Sequence, residues 1–296
     1  MSTANMQNPN TEFELSQEDF EFLRDHITKL TGIQLPDHKK ALMYTRLARR
    51  LRALEIDSFK EYRAMLDKQI GMGNNEELLN VVNAMTTNVT AFFREEHHFK
   101  DLTEHLPRLI ERFGRVRIWS SASSTGEEPW SIAMTVAEYK EQHPMADIKI
   151  VASDIDTNAV ENCKKGEYEM SEEDFKKHKL LKKYMEEYEQ VEPSISVRSG
   201  FKKAYRIKPE LKRLVDFRNI NLLHAPYALP FDQLHVIFCR NVIIYFGKET
   251  KVELFKQFSK LLQPEGLMMI GHSESLMGIS DDYELLGRTL YKRKGA

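Results

Sequence analysis

From residue 115 onward, short apolar runs alternate with amphipathic stretches, and this alternation constrains the fold more than any other feature of the chain. Continuous apolar runs suit strands buried on both faces, as in a parallel sheet whose crossovers are helices. Candidate strands are 116–119, 148–152, 214–217, 236–239, 267–270 and the stretch 283–291, with helices expected over 126–140, 157–165 and 248–262. The charged stretch 166–213 breaks the alternation and is expected to be an insertion with its own small substructure.

Ahead of residue 115 the period changes to that of helices. Ser16 can cap a helix whose apolar positions Phe20, Leu23, Ile27 and Leu30 step by three and four, and Gly32 can end it. A second helix is expected to begin near Asp37 with Met43, Leu47, Leu51 and Leu54 as its buried stripe. Helical stretches at 59–66 and 76–85 flank the breaker Gly71-Met72-Gly73-Asn74-Asn75. The expected organisation is a loose tail over 1–10, a helical domain over 11–85, a connecting segment over 86–114, and an α/β domain over 115–296 that carries the insertion.

Hydrophobic residues make up 41% of the 296, enough to fill a core. The 43 Lys and Arg nearly cancel the 45 Asp and Glu, which argues against bulk affinity for nucleic acid. Locally the balance differs: residues 38–63 hold eight Lys or Arg against three Asp or Glu, with Lys39, Arg46, Arg49 and Arg50 on one helix face. A solvated face is the ordinary reading of such a run. Cys163 and Cys239 lie far apart without metal-ligand spacing, so neither a disulfide framework nor a zinc site is signalled, and a reducing cytoplasm is expected. His97 and His98 are adjacent helical residues expected to point apart, with no third ligand, so no metal is expected. No apolar run reaches the roughly 18 to 20 residues of a membrane span, and the polar first ten residues do not read as a secretion signal.

Three places carry chemistry. In Arg117-Ile118-Trp119-Ser120-Ser121-Ala122-Ser123-Ser124-Thr125-Gly126-Glu127-Glu128-Pro129-Trp130 a strand runs through small residues into a helix, where open α/β sheets bind nucleotides. Small side chains admit an adenosyl group, and acidic residues suit a cationic sulfonium better than a pyrophosphate; neither GxGxxG nor GxxxxGK[ST] occurs. A purely structural turn fits the spacing about as well. In Val151-Ala152-Ser153-Asp154-Ile155-Asp156 an acid follows a strand and can accept both ribose hydroxyls, although Asp154 could equally cap the next helix. In Phe238-Cys239-Arg240-Asn241-Val242-Ile243-Ile244-Tyr245-Phe246 an apolar strand stops at Arg-Asn; a buried Arg240 needs a ligand or an acidic neighbour. The segment Leu261-Leu262-Gln263-Pro264-Glu265-Gly266-Leu267 reads as a helix end and tight turn before a strand, without chemistry.

With Thr86-Thr87-Asn88-Val89-Thr90-Ala91-Phe92-Phe93-Arg94-Glu95 ahead of them, these segments resemble the CheR-type chemotaxis receptor glutamate O-methyltransferases over about residues 13–293, with the family's motifs in order. The resemblance implies a class I methyltransferase: a Rossmann-like, mostly parallel seven-stranded sheet with an antiparallel edge hairpin, behind a small all-α domain that reads the receptor's methylation helices. It implies S-adenosylmethionine as cofactor, S-adenosylhomocysteine as product, no metal, and a monomer in the bacterial cytoplasm that acts on methyl-accepting chemotaxis receptors in sensory adaptation. Carried over by position, Asn88, Thr90 and Arg94 approach the cofactor, Glu128 follows the loop, Asp154 takes the ribose, Asn221 and Leu222 flank the adenine, and Arg240 with Asn241 closes the pocket. Arg94 and Tyr245 fall where the family has residues beside the methyl group; by its own sequence context Arg94 reads as a surface helix residue. Ser123 and Trp130 stand where many members have Cys and Tyr, and residues 186–213 hold only Gly200 where the family's insertion carries a glycine-rich hairpin.

A glutamate acceptor, with a pKa of about 4.3, is already ionised at neutral pH and needs no general base. The resemblance therefore casts Arg94 as orienting the acceptor carboxylate and Tyr245 as holding it, an effect of position that can contribute roughly 7 to 11 kcal/mol. Arg46, Arg49 and Arg50 would attract acidic receptor helices. Two other readings remain at this point: a cofactor-binding signalling module that does not methylate, and a methyltransferase for nitrogen acceptors, suggested by His224-Ala225-Pro226-Tyr227, where that chemistry wants Asn or Asp at the first position.

Overall fold

The computed structural model describes residues 12–190 and 194–295, so the expected tail over 1–10 lies outside it. Thr86 ends one compact unit and Thr87 begins a second.

The first unit is helical: α1 Gln17–Thr31, a 3-10 turn Asp37–Lys39, α2 Lys40–Ala53, α3 Phe59–Gly71 and α4 Glu76–Met85. Ser16 caps α1 by accepting the Asp19 N–H at 3.0 Å, and Gly32 closes it in the left-handed conformation at φ 73. Phe20, Leu23, Ile27, Met43, Leu47, Leu51, Phe59 and Tyr62 form the core. Leu54, expected in the buried stripe, is exposed, because α2 stops at Ala53 and the chain turns there. One buried acid is held inside: Glu77 accepts Arg50 Nε at 3.0 Å, Tyr62 Oη at 2.6 Å and Asn80 Nδ2 at 3.1 Å. Burial raises its carboxyl, but those hydrogen bonds outweigh burial and its pKa lies below the ordinary value.

The second unit contains α5 His97–Phe113, β1 Arg115–Ser120, α6 Glu127–Gln142, β2 Asp147–Asp154 and α7 Thr157–Lys165. The charged stretch follows as β3 Glu167–Met170, α8 Glu172–Lys177, α9 Lys179–Tyr184, β4 Met185–Glu187, α10 Ile195–Arg198, β5 Lys203–Ile207 and α11 Pro209–Lys212. Then come β6 Val215–Asn219, β7 Leu234–Cys239, a 3-10 turn Ile243–Tyr245, α12 Lys248–Leu261, β8 Leu262–Ile270, β9 Tyr283–Gly287 and β10 Leu290–Arg293.

Seven strands form one sheet in the order β6-β2-β1-β7-β8-β10-β9, parallel through β8 and antiparallel at β10 and β9. The stretch 283–291 is thus a hairpin. Strands β3, β5 and β4 make a separate antiparallel sheet in the charged stretch. Two expectations need correction. The tight turn placed over Gln263–Gly266 lies within β8, whose pairing with β7 shifts register between Leu234 and Val236 and so absorbs those residues in the strand. Arg94 is not helical: residues 92–96 form a turn, and α5 starts only at His97.

Candidate functional site

Strand order reverses at β1, since β2 and β6 lie on one side of it and β7 and β8 on the other. Ligands in open α/β sheets bind at the carboxyl ends beside such a reversal. The register aligns those ends, pairing Ser120 with both Ala152 and Phe238, and Asp154 with Asn219. The loops after β1, β2, β6 and β7 therefore open side by side.

The loop after β1 is tied to its neighbours. Ser121 N–H and Oγ–H both donate to Phe238 O, at 2.9 and 3.0 Å, and Ser123 N–H donates to Ser153 O at 2.8 Å. Gly126 then turns into α6 at φ 107, and a Cβ there would lie 2.6 Å from both Cys163 Sγ and Tyr168 Oη, so only glycine fits.

Asp154 closes β2. Its Oδ2 accepts Ser124 N–H at 2.8 Å and its Oδ1 accepts Asp156 N–H at 3.0 Å. Asp154 is not the helix cap: Asp156 caps α7, accepting Asn158 N–H at 2.9 Å and Ala159 N–H at 3.2 Å. Asn88 joins this edge, donating to Asp156 Oδ2 at 2.7 Å and accepting Ser124 Oγ–H at 3.3 Å. Burial pushes the Asp154 carboxyl up to about 6 against the pull of the backbone N–H groups of Asp156, Ser124 and Ile155. Thr90 is half-buried on the same segment as Asn88. Beyond β6, Asn221 Oδ1 accepts Leu223 N–H at 3.0 Å, and the buried Leu222 offers its carbonyl to Tyr227 Oη at 2.8 Å.

Arg240, at the end of β7, finds acidic neighbours. Its Nη1 donates to Glu128 Oε2 at 2.8 Å, its Nη2 lies 3.2 Å from Glu95 Oε2, and Nη2 also donates to the Arg94 carbonyl. Ser120 Oγ–H donates to Glu128 Oε1 at 2.8 Å. Burial raises the Glu128 carboxyl even beside Arg240, whereas at Glu95 burial is outweighed by Arg240 and the backbone of His272, and its pKa is lowered. Glu128 is therefore engaged within the protein rather than open toward a ligand.

Arg94 is half-buried, its Nη1 donating to Val89 O at 3.0 Å. Phe93 and Glu95 on either side take left-handed φ of 55 and 57, as do Ser124 at 50 and Asn241 at 57. Each such residue costs about 1 to 3 kcal/mol and persists only when its surroundings hold it. Here they do: Phe93 N–H donates to Ser131 Oγ at 2.9 Å and its ring stacks on His178 at 3.6 Å. Tyr245 is half-buried and ends the 3-10 turn after Asn241.

The sequence gives no role to Glu95 or His98, and His272 and Glu274 are not marked in it at all. An acid just past the end of β8, in Gly271-His272-Ser273-Glu274, was the one available signal. His97 and His98 do not point apart: their rings lie 4.1 Å from each other, and His97 stacks on His272 at 4.7 Å. His98 is fully buried against Thr289 Oγ1 at 2.8 Å, and burial holds it neutral with its pKa pushed down to about 2. In the first unit, Arg46 Nη1 donates to the last carbonyls of α4, at 2.7 Å to Met85 and to Thr86, and Arg50 is held by Glu77. Arg49 is exposed and makes no ion pair among the described residues.

A parallel sheet closed by an antiparallel hairpin, with a small-residue loop after its first strand and a carboxylate ending its second, defines a class I methyltransferase, whose cofactor is S-adenosylmethionine. The residues fit that group: each Asp154 oxygen has a further lone pair for a ribose hydroxyl after its backbone bond, and no side chain but hydrogen fits at Gly126. Residues 88–292 match the CheR methyltransferase SAM-binding domain, and residues 18–86 match the CheR methyltransferase all-alpha domain. The chain belongs to the CheR methyltransferase family. It is 42% identical over 282 residues to chemotaxis protein methyltransferase 2 of Pseudomonas aeruginosa, covering 95% of each chain. The chemotaxis protein methyltransferase of Salmonella typhimurium is 40% identical over 279 residues, covering 94% of this chain and 90% of that one.

Proposed function

We propose that the protein transfers a methyl group from S-adenosylmethionine to the γ-carboxylate of glutamates in the cytoplasmic helical region of chemotaxis receptors, giving glutamyl methyl esters. The supporting observation is that Arg240 holds Arg94, Glu95 and Glu128 together at the end of β7, beside the loops that carry Asp154 and Asn241. Bound S-adenosylmethionine supplies an electrophilic methyl group; the chain supplies position. Asp154 holds the ribose, Asn221 and Leu222 border the adenine, and Asn88, Thr90 and Asn241 line the pocket. Glu128 acts through Arg240. Arg94 orients the acceptor carboxylate and Tyr245 holds it, neither moving a proton.

The test is incubation with radiolabelled S-adenosylmethionine and receptor-containing membranes, then alkali. A methyl ester releases labelled methanol, an N-methyl product keeps its label, and a module that only binds yields none. The nitrogen-acceptor reading is disfavoured because His224 stands where that chemistry wants Asn or Asp, and because the Tyr227 ring packs on Trp119 at 5.1 Å with its hydroxyl bound to Leu222 O.

Asp154 makes cofactor affinity depend on pH. Because its carboxyl titrates at about 6 when the site is free, acidification below that value removes the acceptor that the ribose requires. Calorimetry with S-adenosylhomocysteine should show affinity falling by up to about tenfold per pH unit below 6, and Asp154→Asn should bind weakly with a flat profile. A wild-type profile with no change between pH 7 and 5 excludes this role.

With Arg46 and Arg50 engaged internally, steering of acidic receptor helices falls mainly to Arg49. Arg49→Glu should slow methylation by about 3- to 10-fold at low ionic strength, with the loss shrinking in high salt. An unaltered rate at low salt returns this face to a merely solvated one.

A further inference from the structure

Glu274, just beyond β8, is a buried carboxylate that the proposed chemistry does not use. It is 7% exposed and has no ion pair among the described residues. Burial raises its pKa, and the backbone donors around it pull the other way. An acid kept there without a cation is costly, so its partners indicate what it does. All are main-chain N–H groups of two loops: Oε2 accepts Asn241 at 2.9 Å and Gly271 at 2.5 Å, and Oε1 accepts Ile243 at 3.0 Å. The fit leaves no room, because a Cβ on Gly271 would press on the Asn241 side-chain amide and lie 2.8 Å from Glu274 Oε2.

These contacts define one short stretch. Asn241 is left-handed at φ 57, its side chain reaches Glu95 Oε1 at 3.4 Å, and the 3-10 turn ending in Tyr245 starts two residues later. One carboxylate therefore holds the entry to that turn from both sides. None of its partners is a core side chain, so its loss frees a loop rather than opening a cavity.

We infer that Glu274 is a positioning residue for methyl transfer, gathering the N–H groups of Asn241, Ile243 and Gly271 so that Asn241 and Tyr245 are held in place. This rests on the reading that those two residues face the cofactor and the acceptor. Misplacing a reacting group by about 1 Å costs on the order of 10²-fold in rate.

The test compares E274Q and E274D with wild type. E274Q keeps the volume but sets an amide N–H₂ against a backbone N–H; E274D keeps the charge one methylene short. Per folded molecule, kcat of E274Q should fall about 10²-fold with receptor KM within about threefold. The Kd for S-adenosylhomocysteine should rise about tenfold, and E274D should recover part of both losses. The inference is overturned if E274Q is folded with kcat and Kd within about twofold of wild type. It is also overturned if E274Q does not fold, since Glu274 is then an element of stability. Wild-type protein that gives no alkali-labile ester sinks the functional reading instead, and the Kd comparison still decides the role of Glu274.

Discussion

Arg94→Ala should yield a folded protein that methylates about 10²- to 10³-fold more slowly than wild type, with a much smaller change in S-adenosylhomocysteine affinity. The expectation follows from how little the side chain does for the fold. Its one hydrogen bond is from Nη1 to Val89 O, five residues back in the same segment, and such a bond contributes about 1 kcal/mol. The remaining donors of the guanidinium have no partner among the described residues. The bond from Phe93 N–H to Ser131 Oγ and the grip of Arg240 on the Arg94 carbonyl hold the backbone in place without the side chain. A planar cation presented this way suits a carboxylate, which it can orient with two parallel hydrogen bonds. Steady-state rates with receptor membranes, alongside calorimetry, check the split. Wild-type turnover with unchanged affinity removes Arg94 from the mechanism.

Arg240→Leu should act on stability first. The substitution leaves Glu95 and Glu128 buried together without their cation, and breaking such a pair costs about 3 to 5 kcal/mol. For a unit of this size that is a fall in Tm of roughly 6 to 20 °C at neutral pH. The sign of the pH dependence follows. Burial already raises the Glu128 carboxyl and Arg240 opposes that, while at Glu95 burial is outweighed chiefly by Arg240, so losing the cation moves both carboxyls upward. The variant's fold binds more protons as pH falls, and the deficit should be smaller at pH 5 than at pH 7.5. Differential scanning calorimetry at the two values reads this directly. A deficit independent of pH would place the cost in lost packing against Phe99, over which the guanidinium lies at 5.8 Å.

The main elements of the fold were legible because their signals are local. The helix 157–165 is found at its expected bounds, ended by Gly166 at φ 64, and the helix from residue 17 has the expected cap and stop. Strand boundaries moved by a residue or two, and β8 began five residues early because a strand with a register shift can carry Pro264 and Gly266. The sequence marks helix at His97 and His98, but the length of α5 is not legible in it, since Pro107 lies inside the helix.

The site was legible in part, and the division has one physical cause. Residue types along the chain reveal periodicity, caps and an acid at a strand end, so Asp154, the small-residue loop and the isolated Arg240 could be marked from sequence alone. Whether Asp154 or Asp156 caps α7 was settled only by the placement of N–H groups in three dimensions. The partner of Arg240 lies 112 residues away in Glu128 and is chosen by β1 lying beside β7. Glu274 acquires its role the same way, from β8 beside β7. A buried charge must be satisfied, and the chain alone states that need; which group satisfies it depends on strand order, which no local signal encodes.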